Sequence, residues 1–91
     1  MSKKILVRFA GEAKRIMDIE SFEVEIKEDD LTILDFLKEV LKEKAKNFLE
    51  ELKKGRYIVL LDGVNIFCLK GLLTSLRNVS TVSIVHAALG G

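Results

Sequence analysis

Phe22-Glu23-Val24-Glu25-Ile26-Lys27 alternates apolar and charged residues, and a few positions later Ile33, Leu37, Val40 and Leu41 recur at steps of three and four. That change of period decides the fold class. Side chains of a strand alternate between its two faces, whereas residues three or four apart share one face of a helix. The first run therefore reads as a half-buried strand with Phe22, Val24 and Ile26 toward the core. The second opens a helix whose apolar stripe continues through Phe48 and Leu52, with Lys38, Glu39, Lys42, Glu43 and Lys46 on the other side. Either Asp30 or Thr32 fits the N-terminal cap, and acidic groups there complement the positive end of the helix dipole. Lys53-Lys54-Gly55 supplies a basic last turn and a stop. Lys44-Ala45-Lys46-Asn47 thins the stripe, so the helix is expected to break into two pieces there.

Toward the N-terminus, Ile5-Leu6-Val7-Arg8-Phe9 is a short branched and aromatic run ending at Ala10-Gly11, and it reads as a strand. The residues between it and Phe22 allow an antiparallel hairpin with a loose loop, Ile16 and Met17 tucking beneath. After the helix, Tyr57-Ile58-Val59-Leu60-Leu61 reads as a third strand and Asp62-Gly63 as a hairpin turn. Val64-Asn65-Ile66-Phe67 returns as a short fourth strand. Leu69 to Leu76, with Gly71 and Thr74-Ser75 inside it, is expected to hold a short helical turn. It is richer in leucine than a loop needs: core filling is the default, and any exposed remainder makes a docking patch. Val82-Ser83-Ile84-Val85 closes the series as the last strand, followed by Ala87-Ala88-Leu89-Gly90-Gly91. One helix packed across a mixed sheet of four to five strands is an α+β domain.

The bulk properties narrow the function. Ninety-one residues without proline or a Gly/Ser-rich linker make one domain, expected over 1–86, with a flexible tail over 87–91. Fifteen basic residues against fourteen acidic leave a net charge of +1. Nucleic-acid binders usually carry a large basic excess, so no direct nucleic-acid contact is expected. The opening apolar run is broken at Arg8, too early for a signal peptide. No stretch approaches the roughly 20 apolar residues of a membrane span, which points to the cytoplasm. Cys68 is the single cysteine, so no intramolecular disulfide forms; behind an apolar strand and without a neighbouring His or Cys, it is expected to be a buried structural thiol. His86, the single histidine, has no evident companion ligands for a metal. A surface or packing role is expected, with contact to a partner as the tail docks. The acidic residues form no catalytic pair by spacing. No phosphate-binding loop, dinucleotide fingerprint or nucleophile elbow is present, so no nucleotide is expected to bind the chain alone.

This element order, with Gly90-Gly91 straight after the last strand, resembles the ubiquitin-like β-grasp proteins and especially the MoaD/ThiS sulfur carriers. Phe9-Ala10 with Lys14-Arg15-Ile16 is similar to that family's Phe-Ala…Arg-Glu-Leu opening. Leu61-Asp62-Gly63-Val64-Asn65 is similar to its central hairpin, and Leu76-Arg77-Asn78 leads into the final strand. Val79-Ser80 and His86-Ala87 stand where many MoaD-type members have Gly-Asp and Pro-Pro. The tail Val85-His86-Ala87-Ala88-Leu89-Gly90-Gly91 is closer to the ubiquitin-related modifier branch, which serves tRNA thiolation and protein conjugation.

The resemblance implies that Gly91 is adenylated by a ubiquitin-activating-like partner enzyme. It is then converted to a thiocarboxylate or joined to lysine amines, with Gly90 as its slender neighbour. Ala87, Ala88, Leu89 and His86 become the partner-binding residues. ATP is used by the activating partner and no cofactor is bound by the chain itself. A sulfur donor is implied too, with either the molybdopterin synthase large subunit or target-protein lysines beyond it. Two other readings are a small subunit of molybdopterin synthase and a β-grasp interaction module without tail chemistry.

Physical chemistry supports glycine at such a terminus. A terminal carboxyl ionises near pH 3.3–3.7 and is a poor acyl donor until activated. Reaching a closed active site needs a slender, extended chain, and glycine, without a Cβ, lets another backbone approach closely. Ala87 to Gly91 reach at most about 17 Å when extended, with Leu89 as one apolar anchor.

Overall fold

A computed structural model describes residues 3–19, 21–27 and 30–87. Strand β1 spans Lys3–Ala10, helix α1 Glu12–Met17, strand β2 Phe22–Ile26, helix α2 Ile33–Leu41 and helix α3 Ala45–Lys53. Strands β3 (Tyr57–Leu61), β4 (Val64–Asn65) and β5 (Thr81–His86) follow. All five strands form one mixed sheet in the order β2-β1-β5-β3-β4. The last strand in sequence thus lies in the middle, parallel to β1 and antiparallel to β3. This is the β-grasp arrangement, with the helical segment packed on one face.

Alternation along the strands selects that face. Ile5, Val7 and Phe9 of β1, Tyr57, Val59 and Leu61 of β3, and Val82 and Ile84 of β5 are buried. They meet Ile33, Phe36, Leu37 and Leu41 of α2 and Ala45, Phe48 and Leu52 of α3. No charged residue is buried among the described residues. On β2, Ile26 is buried while Phe22 and Val24 are half-buried, since an edge strand is covered from one side. None of the described helices is long and apolar enough to cross a membrane.

Local chemistry fixes the element ends. Thr32 is the cap of α2: its hydroxyl accepts a hydrogen bond from the Asp35 N–H at 3.2 Å. At the far end of α3, the Gly55 N–H donates to the Leu52 carbonyl and the Arg56 N–H to the Glu51 carbonyl, both at 3.0 Å. Gly55 sits at φ 80°, the left-handed residue that this Schellman termination requires. The helix breaks slightly earlier than the thinning of the stripe suggests. Lys42–Lys44 form a short 3₁₀ turn, and Lys42 adopts φ 52°. Ala45 is buried with Phe48 and Leu52, at steps of three and four, and so belongs to the second helix.

Three expectations are corrected between the strands. The segment before β2 is not a loose loop but contains α1, whose Ala13 and Met17, four apart, take the inward face and turn Ile16 to solvent. The fourth strand ends at Asn65 because the Asn65 side chain accepts the Phe67 N–H at 2.9 Å and starts a 3₁₀ turn over Ile66–Cys68. Cys68, expected to be buried, therefore lies exposed on that turn. A second 3₁₀ turn, Gly71–Leu73, supplies the helical turn expected there.

Asp62 ties the β3–β4 hairpin to β5. With Asp62 at φ 49° and Gly63 at φ 89°, the two form the primed turn that suits twisted strands. The Asp62 carboxylate accepts the Ser80 N–H at 3.2 Å and the Thr81 N–H at 2.9 Å, and its own N–H donates to the Thr81 carbonyl at 2.9 Å. Asp62→Ala should lower the unfolding free energy by about 1–3 kcal/mol, as two backbone donors lose a charged acceptor. Asp62→Asn, which keeps an acceptor and tolerates positive φ, should cost less. Urea denaturation of the three proteins checks the ranking, and equal midpoints would remove Asp62 from this role.

Candidate functional site at the root of the C-terminal tail

The strand that delivers the tail is held along both edges. Val82, Ser83, Ile84 and Val85 each face a residue of β1 on one side and of β3 on the other. His86 pairs with Tyr57, the first residue of β3, so both lie on the helix-covered face. Their rings meet edge to face, with centroids 5.3 Å apart and planes at 82°. Tyr57 in turn packs against Phe48 of α3 at 4.7 Å. A row of three rings thus runs from the helix to the end of the last strand. One residue further, the Ala87 N–H donates to the Arg56 carbonyl at 2.8 Å, and the Arg56 guanidinium binds the Glu51 carboxylate at 2.8 Å. The direction in which the chain leaves β5 is set by these contacts.

Beside the root lies an open cleft of about 230 Å³ lined by Ile16, Asn47, Glu51, Arg56, Tyr57 and His86. His86 is half-buried, and its Nδ1 is buried without a partner among the described residues. Burial, and secondarily the Glu51 carboxylate, raises the Tyr57 phenol above its ordinary value of 10.0. No cluster of His, Cys, Asp and Glu suited to a metal ion occurs among the described residues.

Of the residues singled out in the sequence, His86 and Ala87 meet at this root. Ala88, Leu89, Gly90 and Gly91 lie outside the described residues. Cys68 takes no part. Sequence reasoning missed Tyr57, Arg56 and Glu51, since the antiparallel register of β3 on β5 brings Tyr57 to His86 and Arg56 to Ala87, and the packing of α3 brings Glu51 to Arg56. A larger hollow, about 520 Å³ between Lys3, Lys4, Arg77, Asn78, Val79 and Ser80, lies at the opposite end of β5. There Arg77 is bound by Asp30 at 2.7 Å, and Lys3 Nζ donates to the Leu76 carbonyl at 2.6 Å. Ser80 is the one hydroxyl along its walls, and no histidine or carboxylate lines it.

No protein-family profile matches the chain, and no curated protein matches it. Solved structures do. The small archaeal modifier protein 1 (SAMP1) of Methanosarcina acetivorans superposes with a TM-score of 0.66 at 19% identity, over 100% of this chain and 99% of that one. The HVO 2177 protein of Haloferax volcanii superposes with a TM-score of 0.65 at 22% identity, over 99% and 88%. Likeness at these identities establishes the shared fold.

Tyr57 is the sole tyrosine and tryptophan is absent, so phenolate absorbance reports this one side chain. Its titration midpoint should lie above that of free tyrosine. Glu51→Gln should move it part of the way back, leaving the part due to burial. A phenol whose folded-state pKa is raised contributes stability that is fully present below the unfolded value near 10 and lost as pH rises through the folded value. Unfolding free energy should therefore fall on the alkaline side only. A midpoint at or below that of free tyrosine would contradict the packing of the tail root described above.

Proposed function

We propose that this chain is a ubiquitin-like carrier and small modifier whose Gly91 carboxyl is the reacting group, the folded body serving to present it. The observation that carries this reading is a central strand, paired on both edges and anchored at His86, that runs directly into Ala87-Ala88-Leu89-Gly90-Gly91. The fold is shared with a protein named a small archaeal modifier, which supports the modifier side of the proposal.

In the proposed reaction the tail enters an adenylating partner. A carboxylate oxygen of Gly91 bonds to the α-phosphorus of ATP and pyrophosphate leaves, giving an acyl-adenylate. A sulfide equivalent from a sulfur donor then attacks the carbonyl carbon and AMP leaves, producing a thiocarboxylate. A lysine amine attacking the same carbon gives an isopeptide bond instead. The chain's own contribution is positional. Its root is held by Tyr57 and Arg56, Gly90 and Gly91 are narrow enough for a closed site, and Leu89 offers an apolar foothold. ATP and catalytic groups belong to the partner, so the chain acts as carrier and co-substrate and not as an enzyme by itself. The proposed setting is the cytoplasm, with tRNA thiolation or cofactor biosynthesis as the destination of the sulfur.

Incubation with ATP, a sulfide source and an adenylating enzyme of this class should place sulfur for oxygen on the C-terminal peptide, localised to Gly91 by fragment mass spectrometry. Localisation separates this from oxidation at Met1, Met17 or Cys68. Deleting Gly91 should abolish the modification and leave the urea midpoint unchanged. A modification that survives the deletion, or a deletion that unfolds the protein, would overturn the division between body and tail.

A further inference from the structure

The connector between β4 and β5 exposes more apolar surface than its packing requires. Phe67, Leu69 and Leu73 lie on it, Val64 lies just before it on β4, and Ile16 is the one other exposed large apolar residue among those described. Phe67 is 61% exposed and Leu73 68%. The core is served by other residues of the same segment: Ile66 and Leu76 are fully buried and Leu72 is partly buried against the core. Polar side chains at the four exposed positions would leave that packing intact.

The connector is also ordered by its own hydrogen bonds. Asn65 accepts from the Phe67 N–H, and the Leu69 N–H donates to the Ile66 carbonyl at 2.9 Å. The Thr74 hydroxyl donates to the Gly71 carbonyl at 2.7 Å and accepts the Lys70 N–H at 3.0 Å. The Phe67 ring lies beside Gly71, its Cδ1 in van der Waals range of where a Cβ would stand, at 3.9 Å. A surface held this way loses little conformational entropy when something docks on it.

Charge narrows the occupant. From Gly63 to Gly91 the sequence contains no Asp or Glu, while Lys70 and Arg77 are present. Arg77 is engaged by Asp30; Lys70 has no ion pair among the described residues. The segment's own exposed side chains are thus apolar with one unpaired cation, Lys70. A second copy of the chain would set two such cations against each other across a two-fold axis, which like charge opposes. Membrane recognition through charge uses clusters of roughly 4–8 Lys or Arg, at about 1 kcal/mol each, and this segment offers one unpaired lysine. A single-stranded nucleic acid needs stacking aromatics for successive bases, and here Phe67 stands alone. A helix with leucines on one face and carboxylates at its border satisfies both the apolar patch and Lys70.

We propose that the segment from β4 through the connector, Val64 to Leu73, is a docking surface for an acidic amphipathic helix of a second protein, separate from the partner that takes the tail. The connector joins β5 at Thr81 and the tail leaves at His86, with roughly 17 Å of strand between them. None of the connector's residues lines the cleft at the tail root. The segment is thus distinct from the tail root, and its use does not depend on the tail's chemistry.

The test uses the full chain, ¹⁵N-labelled, and two synthetic helical peptides with the same leucine face, one bordered by glutamates and one by lysines. The glutamate peptide should shift the amides of residues 64–73 saturably and leave those at Arg56, Tyr57 and His86 in place. Phe67→Ser with Leu73→Ser should weaken binding by about tenfold or more, since such anchors are worth over 1 kcal/mol apiece. Lys70→Glu should reverse the preference between the peptides. Cys68 is exposed and unique, so alkylating it with a bulky maleimide should block the patch. Unchanged sheet amides certify that each variant is folded. No shifts at 64–73, equal binding of the lysine peptide, or shifts caused instead by phosphatidylglycerol vesicles would each overturn the proposal.

Discussion

The pairing of β5 between β1 and β3 is the constraint on which the rest of the molecule depends. Without it the chain contains two separate hairpins, β1–β2 and β3–β4, and isolated hairpins are marginal at best in water. The residues 81–86 that join them are contributed near the end of the sequence, and they join β1 in parallel, which no short turn can accomplish. The long connection runs through all three helices, strands β2 to β4 and the 3₁₀ turns. Its length is what lets the helices lie across the sheet and cover Ile5, Val59 and Ile84 in the centre. Termini usually fray because little holds them. Here the opposite holds through Ala87, since the strand before it has a neighbour on each edge and a helix above.

The same constraint explains how the connector and the hairpin turn are arranged. Thr81 enters the sheet opposite Leu6 of β1, with Val82 opposite Leu61 of β3, and the Asp62 carboxylate receives the N–H groups of Ser80 and Thr81 at that entry. Upstream, the Leu76 N–H donates to the Leu31 carbonyl and the Ile33 N–H to the Thr74 carbonyl, both at 2.9 Å. These bonds stitch the connector to the start of α2. A segment fixed at both ends and by buried Ile66 and Leu76 has little freedom to hide its remaining apolar side chains. Their exposure follows from geometry as much as from composition.

Much of this was legible in the sequence because the signals are local. Period two in Phe22–Ile26, three-and-four spacing from Ile33, and the Asp62-Gly63 turn each act over a few residues. Helix α1 was not legible: six residues with only Ala13 and Met17 inward give too little periodicity to separate a helix from a loop. The exposure of Cys68 was missed for a different reason. Ile66-Phe67 looks like the rest of a strand, and the Asn65 side chain that ends it competes through a single hydrogen bond. Nor could spacing reveal the Tyr57–His86 contact, which arises from the register of strands far apart in sequence. The tail residues 88–91 entered through family resemblance and fall outside the described residues, so their chemistry rests on the proposal and not on geometry.

His86 shows how the body and the tail make different demands on one residue. As an edge-to-face partner of Tyr57 it does what a phenylalanine would do, an interaction worth about 0.5–1.5 kcal/mol beyond area burial for true aromatic pairs. Unlike phenylalanine, it brings a buried Nδ1 with no partner among the described residues, and leaving a polar atom unsatisfied costs about 1–3 kcal/mol. Against a total stability of roughly 5–15 kcal/mol for a domain, that cost is not negligible. Packing alone would favour an apolar ring at this position. On the function proposed above, the same residue would meet a partner as the tail docks, and its Nδ1 would then have something to bond.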